Sequence, residues 1–121
     1  YMQKTIMIGD VEVAMRASAA TSIRYRNIFH GDIMKELMEM NPEKIDASVI
    51  EKIQKLGFVM AKSAEGVKMT ELTEDDYMEW LDQFDSIEMM TASKDIVSIY
   101  LGGKVSESEL KKTETENLTA K

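Results

Sequence analysis

The chain has 121 residues, the size of one ordinary domain and enough to bury a core without covalent staples. It contains no cysteine and a single histidine, His30, which excludes a disulfide framework, a thiolate nucleophile and any Cys-based or two-histidine metal site. Fifteen basic against twenty-two acidic side chains leave a net charge of −7, a poor match for nucleic acid, whose phosphates need a positive footprint.

Uninterrupted apolar runs such as Phe58-Val-Met-Ala61 fall far short of the roughly 20 residues that span a bilayer. The first residues lack the charged start and apolar stretch of a secretory signal, so the expectation is a soluble, acidic, intracellular domain. Methionine is the unusual component, with eleven residues. It is flexible and polarizable, filling irregular gaps in cores and suiting surfaces that repack against a partner. The core is the expected place for any one of them.

The chain opens with a hairpin pattern over 3–16. Ile6-Met7-Ile8 and Val11-Glu12-Val13-Ala14-Met15 flank Gly9-Asp10, a two-residue loop carrying the glycine that primed turns favour. That turn sets Ile8 opposite Val11, Ile6 opposite Val13 and Lys4 opposite Met15. One face is then apolar, and the other carries Gln3, Thr5, Glu12 and Arg16. A lone hairpin is marginal in water, so this apolar face needs a partner, either later helices or a neighbouring subunit's hairpin.

From Thr21 the period becomes helical. Thr21 reads as the N-cap of a short helix carrying Ile23, Ile28 and Phe29, with Arg24 and Arg26 outward and Gly31 breaking it. Asp32 caps a second short helix bearing Ile33, Met34, Leu37, Met38 and Met40, closed by Asn41-Pro42. A longer helix starts near Asp46 or Ser48, with Val49, Ile50, Ile53, Leu56, Met60 and Ala64 at three- and four-residue steps, and ends at Glu65-Gly66. Gly57 inside it marks either a break or close approach to another helix. Thr73-Glu-Asp-Asp76 starts a helix with Tyr77, Trp80, Leu81 and Phe84 on one face. Ser86 caps the last helix, which carries Met89, Met90, Val97, Tyr100 and Leu101 and stops at Gly102-Gly103.

The expected architecture is therefore α+β, mainly α: an N-terminal β-hairpin, about five helices in a helical body over 21–103, and a polar tail over 104–121. The tail holds only Val105, Leu110 and Leu118 as sizeable apolar residues, too few to order it.

Catalytic chemistry finds no constellation. Asp75, Glu79 and Asp82 share a helical face within 71–88, a stretch of eight acids and no base, but the turning glycine of a calcium loop is absent, and the pattern reads as a solvated face. His30 has no cysteine or elbow serine to activate and reads as a helix-end residue near terminal carbonyls. Gly102-Gly103-Lys104 lacks the leading glycine and following Ser/Thr of a phosphate loop. Arg16, Arg24, Arg26 and Lys35 read as a mild basic, solvated region. The chain therefore reads as a non-enzyme with no cofactor and no metal site. Its best candidate for chemistry is a partner surface on the 33–40 stripe, too wide in apolar terms for one packing neighbour.

Four stretches occur in order: Thr21-Ser-Ile-Arg-Tyr-Arg-Asn-Ile-Phe-His-Gly-Asp32, Phe58-Val-Met-Ala-Lys-Ser-Ala64, Tyr77-Met-Glu-Trp-Leu-Asp-Gln-Phe84 and Ser93-Lys-Asp-Ile-Val-Ser-Ile-Tyr-Leu-Gly102. Together they make the chain, over about residues 3–103, resemble the tail assembly chaperones of long-tailed phages and prophages of Gram-positive bacteria. The resemblance rests on the order and spacing of short patterns, none diagnostic alone. It implies a non-catalytic assembly factor that coats the long helical tape measure protein while tube subunits polymerise, with the tail tube protein as a further partner. Self-association, residence in the host bacterial cytoplasm and absence from the mature virion are implied as well. So is a longer frameshifted product, for which Lys111-Lys112 offer a place where a slippery codon run could lie.

The family supplies no binding residues that transfer by position. The candidate partner-binding residues therefore come from the stripe itself: Ile33, Met34, Leu37, Met38 and Met40. Two further readings stand beside this one. One is an acidic regulatory module of antitoxin type that neutralises a basic partner through 71–88. The other is a metal-dependent enzyme using Asp75, Glu79 and Asp82.

Overall fold

A computed structural model describes residues 2–39 and 46–102. The Gly9-Asp10 turn joins two antiparallel strands, β1 (Met2–Ile8) and β2 (Val11–Ala17). The register is the one the turn dictates, with Ile8 opposite Val11, Ile6 opposite Val13 and Lys4 opposite Met15. Gly9 has φ 62°, a left-handed backbone that favours glycine, and the exposed Glu88 carboxylate lies against it. Period-two alternation buries Ile6, Ile8, Val13, Met15 and Ala17 on one face.

Five helices follow: α1 (Thr21–Phe29), α2 (Ile33–Met38), α3 (Ala47–Glu65), α4 (Glu74–Leu81) and α5 (Ser86–Tyr100), with a short 3-10 turn at Met69–Glu71. The fold is α+β and mainly α. The hairpin's apolar face is covered within its own chain, β2 lying along α3 and β1 along α5. Helix α3 is the central element, with Leu56, Phe58, Val59 and Met60 fully enclosed. Its Gly57 marks close approach rather than a break, since a Cβ there would lie 2.9 Å from Ile96 Cδ1 of α5.

The helix starts follow side-chain chemistry. Asp32, Asp46 and Thr73 each accept a backbone N–H three residues on, and Asp76 returns the bond to the Thr73 N–H at 2.8 Å, completing a capping box. Two caps differ from expectation. Thr21 is the first helical residue rather than the N-cap: it is buried, and its Oγ1 accepts the Ser18 N–H at 2.9 Å. Ser18 Oγ in turn accepts the Ala20 N–H, so a serine–threonine turn leads into α1. The last helix is capped by Asp85, which accepts the Ile87 N–H at 2.9 Å, and Ser86 is its first residue.

Six aromatic rings form one chain through the core. Tyr25, Phe29, Tyr77, Phe58, Trp80 and Phe84 follow one another at centroid separations of 5.4, 5.3, 5.6, 5.8 and 5.0 Å, all tilted or edge-on. This chain ties the short α4 to α1 and α3. The buried face of α5 is Met89, Ala92, Ser93, Ile96 and Ile99, while Val97, Tyr100 and Leu101 are only half-buried and Met90 is exposed. The Asn41-Pro42 stop and the 104–121 segment lie outside the described residues.

Candidate functional site

Helix α2 is built between two constraints. His30 closes α1 in the left-handed region at φ 61°, its N–H donating to the Arg26 carbonyl at 2.8 Å, and reverses the chain. Asp32 then accepts the Lys35 N–H at 3.2 Å and starts α2 at once. With six residues, α2 has room for two pairs at i, i+4, set about 100° apart around the helix, so one turns inward and the other outward.

The inner pair is Ile33, fully buried, and Leu37, half-buried against the core cluster. The outer pair is Met34, 42% exposed, and Met38, 78% exposed. The expected five-residue stripe is thereby divided between the core and solvent. Ile33 faces the core and cannot meet a partner, because its neighbour is this domain's own interior. Leu37 divides its surface between the core and solvent. Met34 and Met38 form the part that is open, and Met40 lies outside the described residues. Ile23 on α1 is 51% exposed, a further open apolar side chain.

The expectation that a given methionine belongs to the core is also corrected. Met15, Met60 and Met89 are buried, whereas Met7, Met34, Met38, Met78 and Met90 are exposed. Large flexible thioethers thus stand on strand, helix and helix-start surfaces in an otherwise acidic shell.

Beneath α2, Glu36 reaches toward Lys52 at 3.6 Å and Lys55 Nζ lies 5.2 Å from the Phe29 ring centroid. Glu36 Oε2 and the Tyr77 hydroxyl are buried with no hydrogen-bond partner among the described residues. Burial, with the Glu36 and Glu51 carboxylates second, pushes the Tyr25 hydroxyl well above its ordinary range, and burial with Glu51 does the same to Tyr77. Tyr100 is raised by burial as well, against an opposing hydrogen bond with Ser22. All three phenols stay neutral near pH 7 and serve as packing groups.

The other candidates are dispersed. Asp75, Glu79 and Asp82 are all exposed. Among the described residues no three His, Cys, Asp or Glu side chains are grouped to hold a metal ion, and no helix is long and apolar enough to cross a membrane. The basic residues do not all face outward. Arg24 Nη1 donates to Ser63 Oγ at 3.2 Å, pinning α1 to α3, and Arg16 Nε donates to Gln3 across the hairpin at 3.1 Å. The comparisons add no relative to these observations: no family model, no curated protein and no solved structure matches the chain.

Proposed function

We propose that the chain is a non-catalytic assembly chaperone of the phage tail type, binding the tape measure protein and keeping it soluble while the tail tube assembles. The observation that carries this reading is the division of α2. Its inner residues anchor the helix, and Met34 and Met38 stand out in solvent, where they can pack on the apolar stripe of a long helical client. The excess of acidic side chains keeps such an adhesive surface from self-precipitation. The order of the short patterns that resemble the family supports the same conclusion. The reading includes the tail tube protein as a further partner, self-association, action in the host cytoplasm and absence from the finished virion.

The test is co-expression with the longest coiled-coil-rich reading frame just downstream of the gene, at low and high salt. Soluble, salt-resistant co-purification supports the reading, and a client that precipitates regardless removes it. A second reading, an acidic module that neutralises a basic regulator, is favoured by one observation. Glu71, Glu74, Asp75, Glu79, Asp82, Asp85 and Glu88 are all exposed on and around α4. That mode of binding weakens steeply with salt, which separates the two readings in the same experiment.

A further inference from the structure

The outer edge of β2 borders a cleft that the α2 surface does not use. In a two-residue hairpin the pair flanking the turn exchanges hydrogen bonds, and bonded and non-bonded pairs alternate from there. The register therefore points the backbone N–H and C=O of Val11 and Val13 toward β1, and those of Glu12 and Ala14 away from it. Among the described residues, no backbone hydrogen bond from another element reaches Glu12 or Ala14. An unpaired strand edge of this kind is a template for a further strand.

Beside this edge lies an open cleft of about 420 Å³, walled by residues 11–14 of β2, the last turns of α3 and the end of α4. Ala61 and Ala64 leave room on the α3 side, and Trp80 and Phe84 give the cleft an apolar wall. Its charge is negative. Its lining charges are Glu12, Glu65 and Lys62, a net of −1, and the Lys62–Glu65 pair at 3.3 Å leaves Glu12 as the open charge on the rim.

We propose that this cleft binds an extended, basic peptide segment of another protein, which adds to β2 as a third strand. Main-chain hydrogen bonds to Glu12 and Ala14 supply the pairing. Alternate apolar side chains pack on the half-buried Ala64 and Phe84, over the edge of the buried Trp80, and alternate Lys or Arg side chains meet Glu12 on the other face of the strand. The site is separate from Met34 and Met38 and does not rest on the chaperone reading, since it asks for an extended ligand rather than a helical one.

Trp80 is the only tryptophan and lines the cleft, so its fluorescence reports occupancy. The probe is an end-blocked octapeptide alternating valine and lysine, titrated into the full chain. The expected result is a saturable change in Trp80 emission. N-methylation of the valine amides and of the lysine amides is then tested in turn, because each set faces a different edge of the strand. One methylated peptide loses at least about tenfold in affinity, equivalent to about 1.4 kcal/mol, and the other, of identical charge, does not. Ala64→Leu fills the cleft and Ala14→Pro removes an edge donor without touching the ladder to β1, and each weakens binding by a similar factor.

The proposal is overturned by several results. These are no saturable change, equal loss with both methylated peptides, or equal binding of a control octapeptide alternating valine and glutamate. Binding that emerges only after residues 103–121 are deleted also overturns it, by making the chain's own segment the occupant. A concentration-dependent dimer abolished by Ala14→Pro does so too, by making it a second copy.

Discussion

Gly57 of α3 and Ile96 of α5 meet with no space for one more carbon, a Cβ on Gly57 falling 2.9 Å from Ile96 Cδ1. Alanine would be worth up to about 1 kcal/mol to the helix by propensity, but overpacking a closed core costs about 1–3 kcal/mol. Ile96 is fully buried and cannot swing away, so the packing cost wins. Gly57→Ala is therefore expected to destabilise the domain by about 1 kcal/mol in urea denaturation. Combining it with Ile96→Val removes the colliding methyl, and the pair is expected to cost less than the sum of the two single changes.

The two faces of α2 separate stability from binding. Ile33→Ala empties a fully buried site and should cost about 2–5 kcal/mol. Met34→Ser with Met38→Ser alters exposed side chains and should change stability by no more than about 0.5 kcal/mol. On the proposed function, the double serine variant folds normally yet fails to keep the client soluble on co-expression. Thermal unfolding and co-purification, measured on the same preparations, check both halves.

Helix starts can be tested at adjacent positions. Asp85 accepts the Ile87 N–H and Ser86 caps nothing, so Asp85→Ala should cost about 1 kcal/mol while Ser86→Ala stays within about 0.5 kcal/mol. Thr73→Ala should cost about 1 kcal/mol or somewhat more, because it removes the hydroxyl half of a reciprocal box.

Stability should also fall in alkali for an identifiable reason. The Tyr25 and Tyr77 phenols are held neutral by burial, with carboxylates adding to the effect, so their folded-state pKa values lie above those of the unfolded chain. A raised pKa means that the folded state holds its protons where the unfolded state loses them. The contribution is fully present below about pH 10, the ordinary value for tyrosine, and is lost as pH rises beyond it. Tyrosinate absorbance followed alongside circular dichroism should show these two rings ionising only as the helices melt. Ionisation of every tyrosine before unfolding would contradict it.

Local chemistry made much of this fold legible. Gly9-Asp10 between alternating apolar runs determines both turn and register, and Asp32, Asp46 and Thr73 announce their helices by short side chains whose oxygens accept an N–H three residues on. Where two competent residues stand together, spacing does not choose between them, which is why Asp85 and not Ser86 caps α5 and why Thr21 sits inside α1. Along α5, Met90, Val97 and Leu101 offer a second apolar side, so the spacing alone does not define its buried face. Contact with Gly57 and the hairpin decides which side turns inward, and that is a tertiary event. The same holds for α2, whose stripe is continuous in sequence but splits between core and solvent once Ile33 is committed. The β2-edge cleft had no local signal, being assembled from strand, helix end and loop far apart in the chain.

The packing of β1 against α5 joins the first of the described elements to the last. Closing so long a loop is entropically costly, and such non-local contacts slow folding. On the ribosome, the hairpin's apolar face and the exposed side of α3 must wait for Met89, Ile96 and Ile99 to be synthesised before they are covered. Until then the nascent chain carries an adhesive surface of its own. Arrival of α5 is therefore the event that covers the hairpin and α3, and a halt before residue 86 leaves that surface open to aggregation.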